Sequence, residues 1–172
     1  ISPSIKLFSF LLSKTHVDIS VNLDEKTIPI KINSDYKNQL PTDAKDAVSG
    51  GNRIHKTEKE TELINLAYAR SGDEGDNANI GVIARDPEFL PYIRQSLTKD
   101  RLENHFSHVL KGSIRCWEVP GIDALNFLLK NSLGGGGMTS LNIDPQGKAY
   151  AQQILDLKIA VSESIYNKVH KK

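Results

Sequence analysis

The sequence is poor in cysteine, in surplus charge and in long apolar runs, and each shortage excludes a class of protein. Its 172 residues include one cysteine, Cys116, which excludes an internal disulfide framework or a cysteine-rich zinc site and favours a reducing, cytoplasmic location. Lysine and arginine total 22 against 21 acidic residues, and this net charge of +1 provides no long-range field for nucleic acid or an anionic membrane. No apolar run reaches the roughly 20 residues of a membrane-spanning helix. We therefore expect neither nucleic acid nor a membrane as partner.

The first 32 residues combine an apolar arm with a hairpin pattern. Residues 1–12 are rich in large apolar side chains that would not remain free in water, so the arm must pack on something. Apolar and polar residues alternate over 17–23 and again over 27–32, which predicts a β-hairpin with Pro29 on an edge strand. The chain starts with Ile1 rather than Met, and we expect it to be a piece of a longer protein.

Residues 33–62 are dominated by polar and charged side chains, which predicts a flexible, disordered linker. The compact domain is expected over residues 63–161, with strands at 63–69, 80–85, 113–119, 138–144 and 159–161. Helices are predicted at 86–97, 98–110, 123–129 and 149–157, from caps and from apolar residues at helical spacing. Residues 162–172 are predicted to be a loose tail.

A polar loop at residues 69–81 is the first candidate site. It lies between two apolar runs, and its glycines allow several polar side chains to turn toward one point. A guanidinium next to the loop suits a carboxylate or a phosphate. The alternative is that these side chains only cap their own backbone, as Asp and Asn do in tight turns. The candidate ligand-binding residues are Arg70, Ser71, Asp73, Asp76, Asn77 and Asn79.

A run of four glycines is the second candidate. Four consecutive glycines are entropically costly to order, so an ordered run implies close contact with a neighbouring element or with a ligand that accepts its amide hydrogens. The other interpretation is a flexible hinge. The candidate residues here are Gly134, Gly135, Gly136, Gly137, Thr139 and Ser140.

Several known chemistries do not fit these two segments. A phosphate-binding P-loop needs Lys after its glycines, and Met138 stands there. An EF-hand starting at Asp73 fails at its sixth and twelfth positions, which are Ala78 and Ala84. A looser cation site at Asp73 and Asp76 stays open, but we predict no metal, and His105 and His108 have no evident third ligand. The catalytic residues are unknown, since no Gly-x-Ser-x-Gly motif occurs.

The two glycine segments also carry a family resemblance. The matching blocks are Ala69-Arg70-Ser71-Gly72-Asp73, Gly75-Asp76, Asn79-Ile80-Gly81, Ala124-Leu125-Asn126-Phe127, Leu133-Gly134-Gly135-Gly136, Ser140-Leu141, Asp144 and Gln146-Gly147-Lys148. In these blocks the sequence resembles the C-terminal ferredoxin-like domain of the acyclic terpene utilisation (AtuA-like) family. One departure is Glu74, where family members often have Lys.

The resemblance implies an α+β, ferredoxin-like sandwich, a mixed sheet with helices on one face, preceded by the hairpin and linker. It also implies an accessory domain in acyclic terpenoid or acyl-CoA catabolism, a larger N-terminal AtuA-like domain as partner, no cofactor, and a coenzyme A thioester as a possible ligand. The two candidate segments would then meet and shape a pocket in which Arg70 holds a carboxylate or phosphate. The alternative function is a non-catalytic oligomerisation or docking module, which the apolar arm favours; we expect a homo-oligomer.

Overall fold

A computed structural model describes residues 10, 12–31 and 58–171. The chain divides into two units, Ile1–Ala44 and Lys45–Lys172. Nearly all of the predicted apolar arm and residues 33–57 of the predicted linker lie outside the described residues.

The first unit contains the predicted hairpin. Strand β1 (Ser20–Leu23) pairs antiparallel with β2 (Lys26–Pro29) around a turn in which Asp24 has a φ of 54°. Opposed residues of an antiparallel pair project from the same face. The pairing of Val21 with Ile28 therefore places both on one face, and both side chains are exposed.

The described part of the second unit, residues 58–171, contains six strands and four α-helices. A four-stranded sheet has the order β4-β5-β7-β6, and a separate two-stranded sheet pairs β3 with β8. Among the described residues every pairing is antiparallel, so the sheets contain no parallel pair of the kind that a mixed sheet includes. The predicted α+β class is confirmed. The strands are β3 (Lys59–Glu62), β4 (Ala67–Glu74), β5 (Asn77–Ala84), β6 (Ile114–Val119), β7 (Ala124–Leu129) and β8 (Lys158–Val161); the helices are α1 (Leu90–Ser96), α2 (Lys99–His105), α3 (Tyr150–Leu155) and α4 (Glu163–His170).

One face of the four-stranded sheet forms the core. Side chains alternate across a strand, so Ile80 and Val82 of β5 point the same way as Leu125 and Phe127 of β7, which they oppose in register. All four side chains are at most 1% exposed. Helices α2 and α3 contact the sheet. The other face carries the remaining side chains of each strand.

Strand β7 corrects the sequence prediction, which made residues 123–129 a helix. The segment is apolar at five of its six strand positions, and this density conceals the period of two. As an inner strand between β5 and β6 it buries side chains on the core face, while Leu128 on the opposite face is half-buried. Asp123 has a φ of 50°, a turn conformation that does not begin a helix.

Three more predictions change. Residues 138–144 do not form a strand: a short 3-10 helix at Gly137–Thr139 leads into an irregular loop. The predicted strand at 63–69 begins with a 3-10 turn at Leu63–Asn65, and β4 starts at Ala67. Part of the predicted linker, Lys59–Glu62, is strand β3 because it pairs with β8.

The predicted loose tail is helix α4. Ser162 caps its first turn, and the hydroxyl of Tyr92 donates to Ser162 Oγ at 3.1 Å. Lys168 forms ion pairs with Asp86, at 2.7 Å, and with Glu88. Ile165 is 5% exposed. The sequence suggested a free polar tail because one buried side chain and several ion pairs leave little apolar periodicity.

Candidate functional site

The first candidate segment is mostly strand rather than loop. Residues 67–74 and 77–84 form the β4–β5 hairpin, and only Gly75 and Asp76 make the turn, with Gly75 at a φ of 68°. In the ladder Arg70 opposes Gly81, and Gly72 opposes Asn79. Strand alternation therefore sends the predicted site residues to two different faces of the hairpin, and only some of them come together.

The two glycine segments meet directly. Gly136 is buried against the hairpin turn, where a Cβ added to it would overlap the carbonyl oxygen of Gly75. The backbone amide of Gly135 donates to Asp76 Oδ1 at 2.6 Å, and the amides of Ser132 and Leu133 donate to the Asp76 carbonyl oxygen at 2.9 and 3.1 Å. The close approach leaves no room for a side chain at residue 136. The glycines are therefore ordered by a neighbouring element.

The side-chain oxygens of Asp76 and Asn77 accept hydrogen bonds from backbone amides. Besides the Asp76 bond to Gly135, Asn77 Oδ1 accepts from the amide of Asn131 at 3.0 Å, and Asn77 Nδ2 donates to the Glu74 carbonyl at 3.3 Å. These bonds tie the β4–β5 turn to the chain that follows β7. Both side chains thus have the turn-fixing role that the sequence left open for them.

Thr139 and Ser140 make local contacts in the glycine-rich loop. Thr139 Oγ1 donates to the Gly136 carbonyl at 2.8 Å, and Ser140 Oγ accepts from the Asn142 amide at 3.1 Å. The amide of Gly137 donates to the Pro145 carbonyl at 3.1 Å. All four glycines have positive φ, between 49° and 99°, which explains the absence of side chains there.

An open hollow of about 360 Å³ lies beside β4, which is an outer strand of the sheet. Four of the predicted residues line it, whereas the glycine run, Thr139, Ser140, Asp76 and Asn77 do not. Gly72 and Gly81 contribute no side chains, so only backbone atoms line the hollow at these two positions. The lining residues are Arg70, Ser71, Gly72, Asp73, Glu74, Asn79, Gly81 and Lys148.

Four lining residues, Gly72, Glu74, Gly81 and Lys148, were not among the predicted site residues, and Lys148 lies farthest from the others in the chain. Its Nζ lies 3.1 Å from Asp73 Oδ1, and the hydrogen bond from this ammonium is the main reason why the pKa of Asp73 lies below its ordinary value. A Cβ at Gly72 would lie 3.0 Å from Nζ, so the glycine leaves space for the ammonium. Lys148 belongs to the Gln146-Gly147-Lys148 block of the resemblance, and that block was the available signal.

Arg70 stands in the hollow without a partner. It is exposed, and among the described residues no ion pair or hydrogen bond engages its side chain. Glu74 projects from the same face of β4 as Arg70, four residues along the strand, or about 13 Å away. The guanidinium therefore presents an uncompensated positive charge at one end of the hollow.

Ser71 joins the hollow to helix α3. Its Oγ donates to the Lys148 carbonyl at 3.2 Å and accepts from the Ala151 amide at 2.9 Å. Asp144 accepts from the amides of Lys148 and Ala149 at 3.0 and 2.7 Å and so fixes the turn that leads into the same helix. With its hydroxyl bonded on both sides, Ser71 is placed to hold structure rather than to attack a substrate.

The unpaired guanidinium of Arg70 is the group in the hollow that suits an anion. The lining of the hollow contains two cations, an amide and two carboxylates, without histidine or cysteine. Within the described ranges no three His, Cys, Asp or Glu side chains lie close enough to hold a metal ion. The arrangement supplies a fork for a carboxylate or phosphate but no base beside a free nucleophile.

Comparison with known protein families decides the relationship. Residues 61–160, which run from β3 to β8, match the family model described as the AtuA ferredoxin-like domain. The chain belongs to this family. The AtuA ferredoxin-like domain thus has the predicted ferredoxin-like fold, and the resemblance of the motif blocks is confirmed. No curated protein and no solved structure matches the chain.

In this AtuA ferredoxin-like domain many motif residues stabilise the fold. Ser71, Asp76 and Asp144 bind backbone groups, Gly136 allows the loop contact, and a Cβ at Gly147 would lie 3.1 Å from Cβ of Ala78. Arg70, Asp73, Asn79 and Lys148 are the other motif residues that present polar side chains to the hollow. Among residues 10, 12–31 and 58–171 no helix combines the length and apolarity of a membrane span.

Proposed function

We propose that this AtuA ferredoxin-like domain is an accessory domain in acyclic terpenoid or acyl-CoA catabolism, and that its hollow positions the anionic end of the substrate. The observation that carries the proposal is the unpaired guanidinium of Arg70 in a hollow that Lys148, Gly72 and Gly81 also line. Family membership supports the metabolic context. The proposal includes a larger AtuA-like domain as partner and a cytoplasmic location, which the single cysteine favours.

The charges of the hollow favour an anion at the Arg70 end. Lys148 is already paired with Asp73, and Glu74 lies at the far end of the strand segment, so the field close to Arg70 is positive. An incoming carboxylate or phosphate would accept from the guanidinium fork and from the free hydrogens of the ammonium. The Asn79 amide is a further donor on the paired strand.

Isothermal titration calorimetry tests the anion site. Coenzyme A and a branched-chain acyl-CoA are titrated into the protein, into Arg70→Ala and into Lys111→Ala, in which an exposed charge outside the hollow is removed. A hydrogen bond to a charged group contributes about 1.5–3 kcal/mol, so we expect Arg70→Ala to weaken binding by roughly 10- to 100-fold. Lys111→Ala controls for net charge. Absence of heat at millimolar ligand would remove the proposal.

A second candidate function, the oligomerisation or docking module, is favoured by the glycine-rich loop. Met138, Leu141 and Ile143 project from it with exposures of 69%, 101% and 106%. Residues 131–143 contain no Asp, Glu, Lys or Arg. Apolar side chains grouped in this way on a surface are typical of interaction sites.

Sedimentation equilibrium separates the two functions. If the loop mediates self-association, the double variant Leu141→Ser with Ile143→Ser has a lower average mass than the parent protein. The control is Ile122→Ser, which changes another exposed isoleucine, 54% exposed, outside this loop. A parent protein that is monomeric at all concentrations argues against homo-oligomerisation.

A further inference from the structure

The four-stranded sheet has an open face opposite its core. One transverse row of this open face runs from β4 to β6 through Arg70, Gly81, Asn126 and Trp117, which are successive partners in the strand register. All four lie on the face that does not carry the buried Ile80 and Val82, and all remain at least partly accessible. Arg70 and Gly81, the first two residues of this row, also line the hollow, and Asn126 and Trp117 extend the row beyond it.

The side chains along this row change from a charged one at Arg70 to an aromatic one at Trp117. The row begins at the unpaired guanidinium and passes Gly81, where a Cβ would have no heavy atom within 4 Å, so space is open above that residue. It ends at Trp117, whose half-buried ring carries the guanidinium of Arg115 at 4.9 Å from its centroid. Between Arg70 and Trp117 the row has no charged side chain.

The neighbouring row on the open face is apolar across all four strands. It consists of Tyr68, Ile83, Ala124 and Val119 in register. Tyr68 and Ile83 are 58% and 42% exposed. A ligand lying along the first row would thus have apolar side chains beside it and an indole at its end, while its charged group stays at Arg70.

We propose that the open face binds an aliphatic monocarboxylate whose carboxylate is held by Arg70 and whose tail lies over Gly81 toward Trp117. This inference rests on the proposed anion site and adds a subsite for the tail. An acid fits this row because the Arg70 guanidinium has no partner among the described residues, whereas the Arg115 guanidinium at the other end already lies over the Trp117 ring. Three spacings between neighbouring strands amount to about 14 Å, roughly the length of an extended chain of ten to twelve carbons.

The fluorescence of Trp117 provides the assay, since it is the single tryptophan of the chain. The protein is titrated with straight-chain acids from acetate to dodecanoate, below their micelle concentrations, and calorimetry follows the same series. Burial of one methylene contributes at most about 0.8 kcal/mol, which corresponds to about fourfold in affinity. We expect the affinity to rise two- to fourfold per methylene and to level off near ten to twelve carbons. Tryptophan emission should change for the long acids only.

Two variants test the placement of the two ends. Arg70→Ala should weaken all acids by a similar factor and remove the preference for decanoate over decanol. Gly81→Val fills the open space above the row with a residue that strands accept well, so folding is retained and the gain of affinity with chain length is lost. Circular dichroism verifies the fold of each variant. Ile122→Ser is the control for an exposed apolar residue outside the two rows.

The outcomes distinguish this inference from the function on which it rests. Binding that strengthens with chain length and loses this gain in Gly81→Val supports the tail subsite. If acetate and decanoate bind equally, or only coenzyme A binds, the tail subsite is wrong while the anion site survives. If neither acids nor coenzyme A bind, both are wrong.

Discussion

Replacement of Gly136 by alanine tests the contact between the two glycine segments. This residue has φ 70° and ψ 158°, a region that is open almost exclusively to glycine. The added Cβ would overlap the Gly75 carbonyl oxygen and lie 2.7 Å from the carbonyl carbon. Because backbone atoms cannot rotate away as a side chain does, the two segments must separate.

The loss of stability expected for Gly136→Ala is the sum of the backbone strain and of the hydrogen bond that breaks when the two segments separate. Backbone strain at such a residue costs about 1–3 kcal/mol. Losing the hydrogen bond from the Gly135 amide to the Asp76 carboxylate costs about 1.5–3 kcal/mol more. We expect Gly136→Ala to lower the free energy of unfolding by about 3–5 kcal/mol, a large part of the roughly 5–15 kcal/mol typical of a domain.

Urea unfolding followed by circular dichroism measures this loss, and Gly137→Ala is the matched control. Gly137 also has a positive φ, 49°, but a Cβ there would have no heavy atom within 4 Å. It should therefore cost only the left-handed strain, about 1–2 kcal/mol. Equal effects of the two substitutions would refute the conclusion that the segments are pressed together.

Three further predictions concern other parts of the second unit. Ile165→Ala should lower the unfolding free energy by about 2–4 kcal/mol in urea, since it removes the buried side chain of α4; a loss below about 0.5 kcal/mol would mean that α4 does not pack on the core. Burial lowers the pKa of His105, so below about pH 6.5 the unfolded chain takes up a proton before the folded one does, and the unfolding free energy decreases as the pH is lowered. His105→Gln should flatten this decrease in urea unfolding measured at several pH values, and an unchanged slope would contradict the prediction. The double variant Leu141→Ser with Ile143→Ser should keep the unfolding free energy within about 0.5 kcal/mol, because both side chains are exposed; a larger loss would show that they pack within the unit.

The parts of the fold that the sequence predicts best are those with local signals. Asp86 and Pro87 mark the start of the helical segment, and α1 follows at Leu90. Asp24 marks the turn of the first hairpin. Strand β7 was missed because its identity depends on pairing with β5 and β6, which are distant in the chain. Helix α4 was missed because it is short and its three core-facing residues, Ile165, Tyr166 and Val169, stand among polar and charged ones.

The sequence likewise indicates those features of the candidate site that depend on local signals, and not those that depend on contacts between distant segments. Glycine and Asp residues marked two segments that the structure brings into contact, and Arg70 lies on an accessible surface. Composition alone does not tell which polar atoms are consumed by backbone amides, as those of Asp76 and Asn77 are. Nor does it reveal that Lys148, 78 positions beyond Arg70, lines the same hollow. Contacts between segments that are distant in the chain decide both.

Helix α4 brings the exit of the folded unit back to its entry, because His170 Nε2 near the end of α4 lies 2.9 Å from Thr61 Oγ1 of β3. A short peptide linker would join the end of α4 to the start of β3, and new ends opened at the exposed Gly121 turn would yield a circular permutant with the same ladders. The unit is thus suited to being carried as an insertion in a larger polypeptide, because a host chain can leave and re-enter at almost one point without being pulled apart.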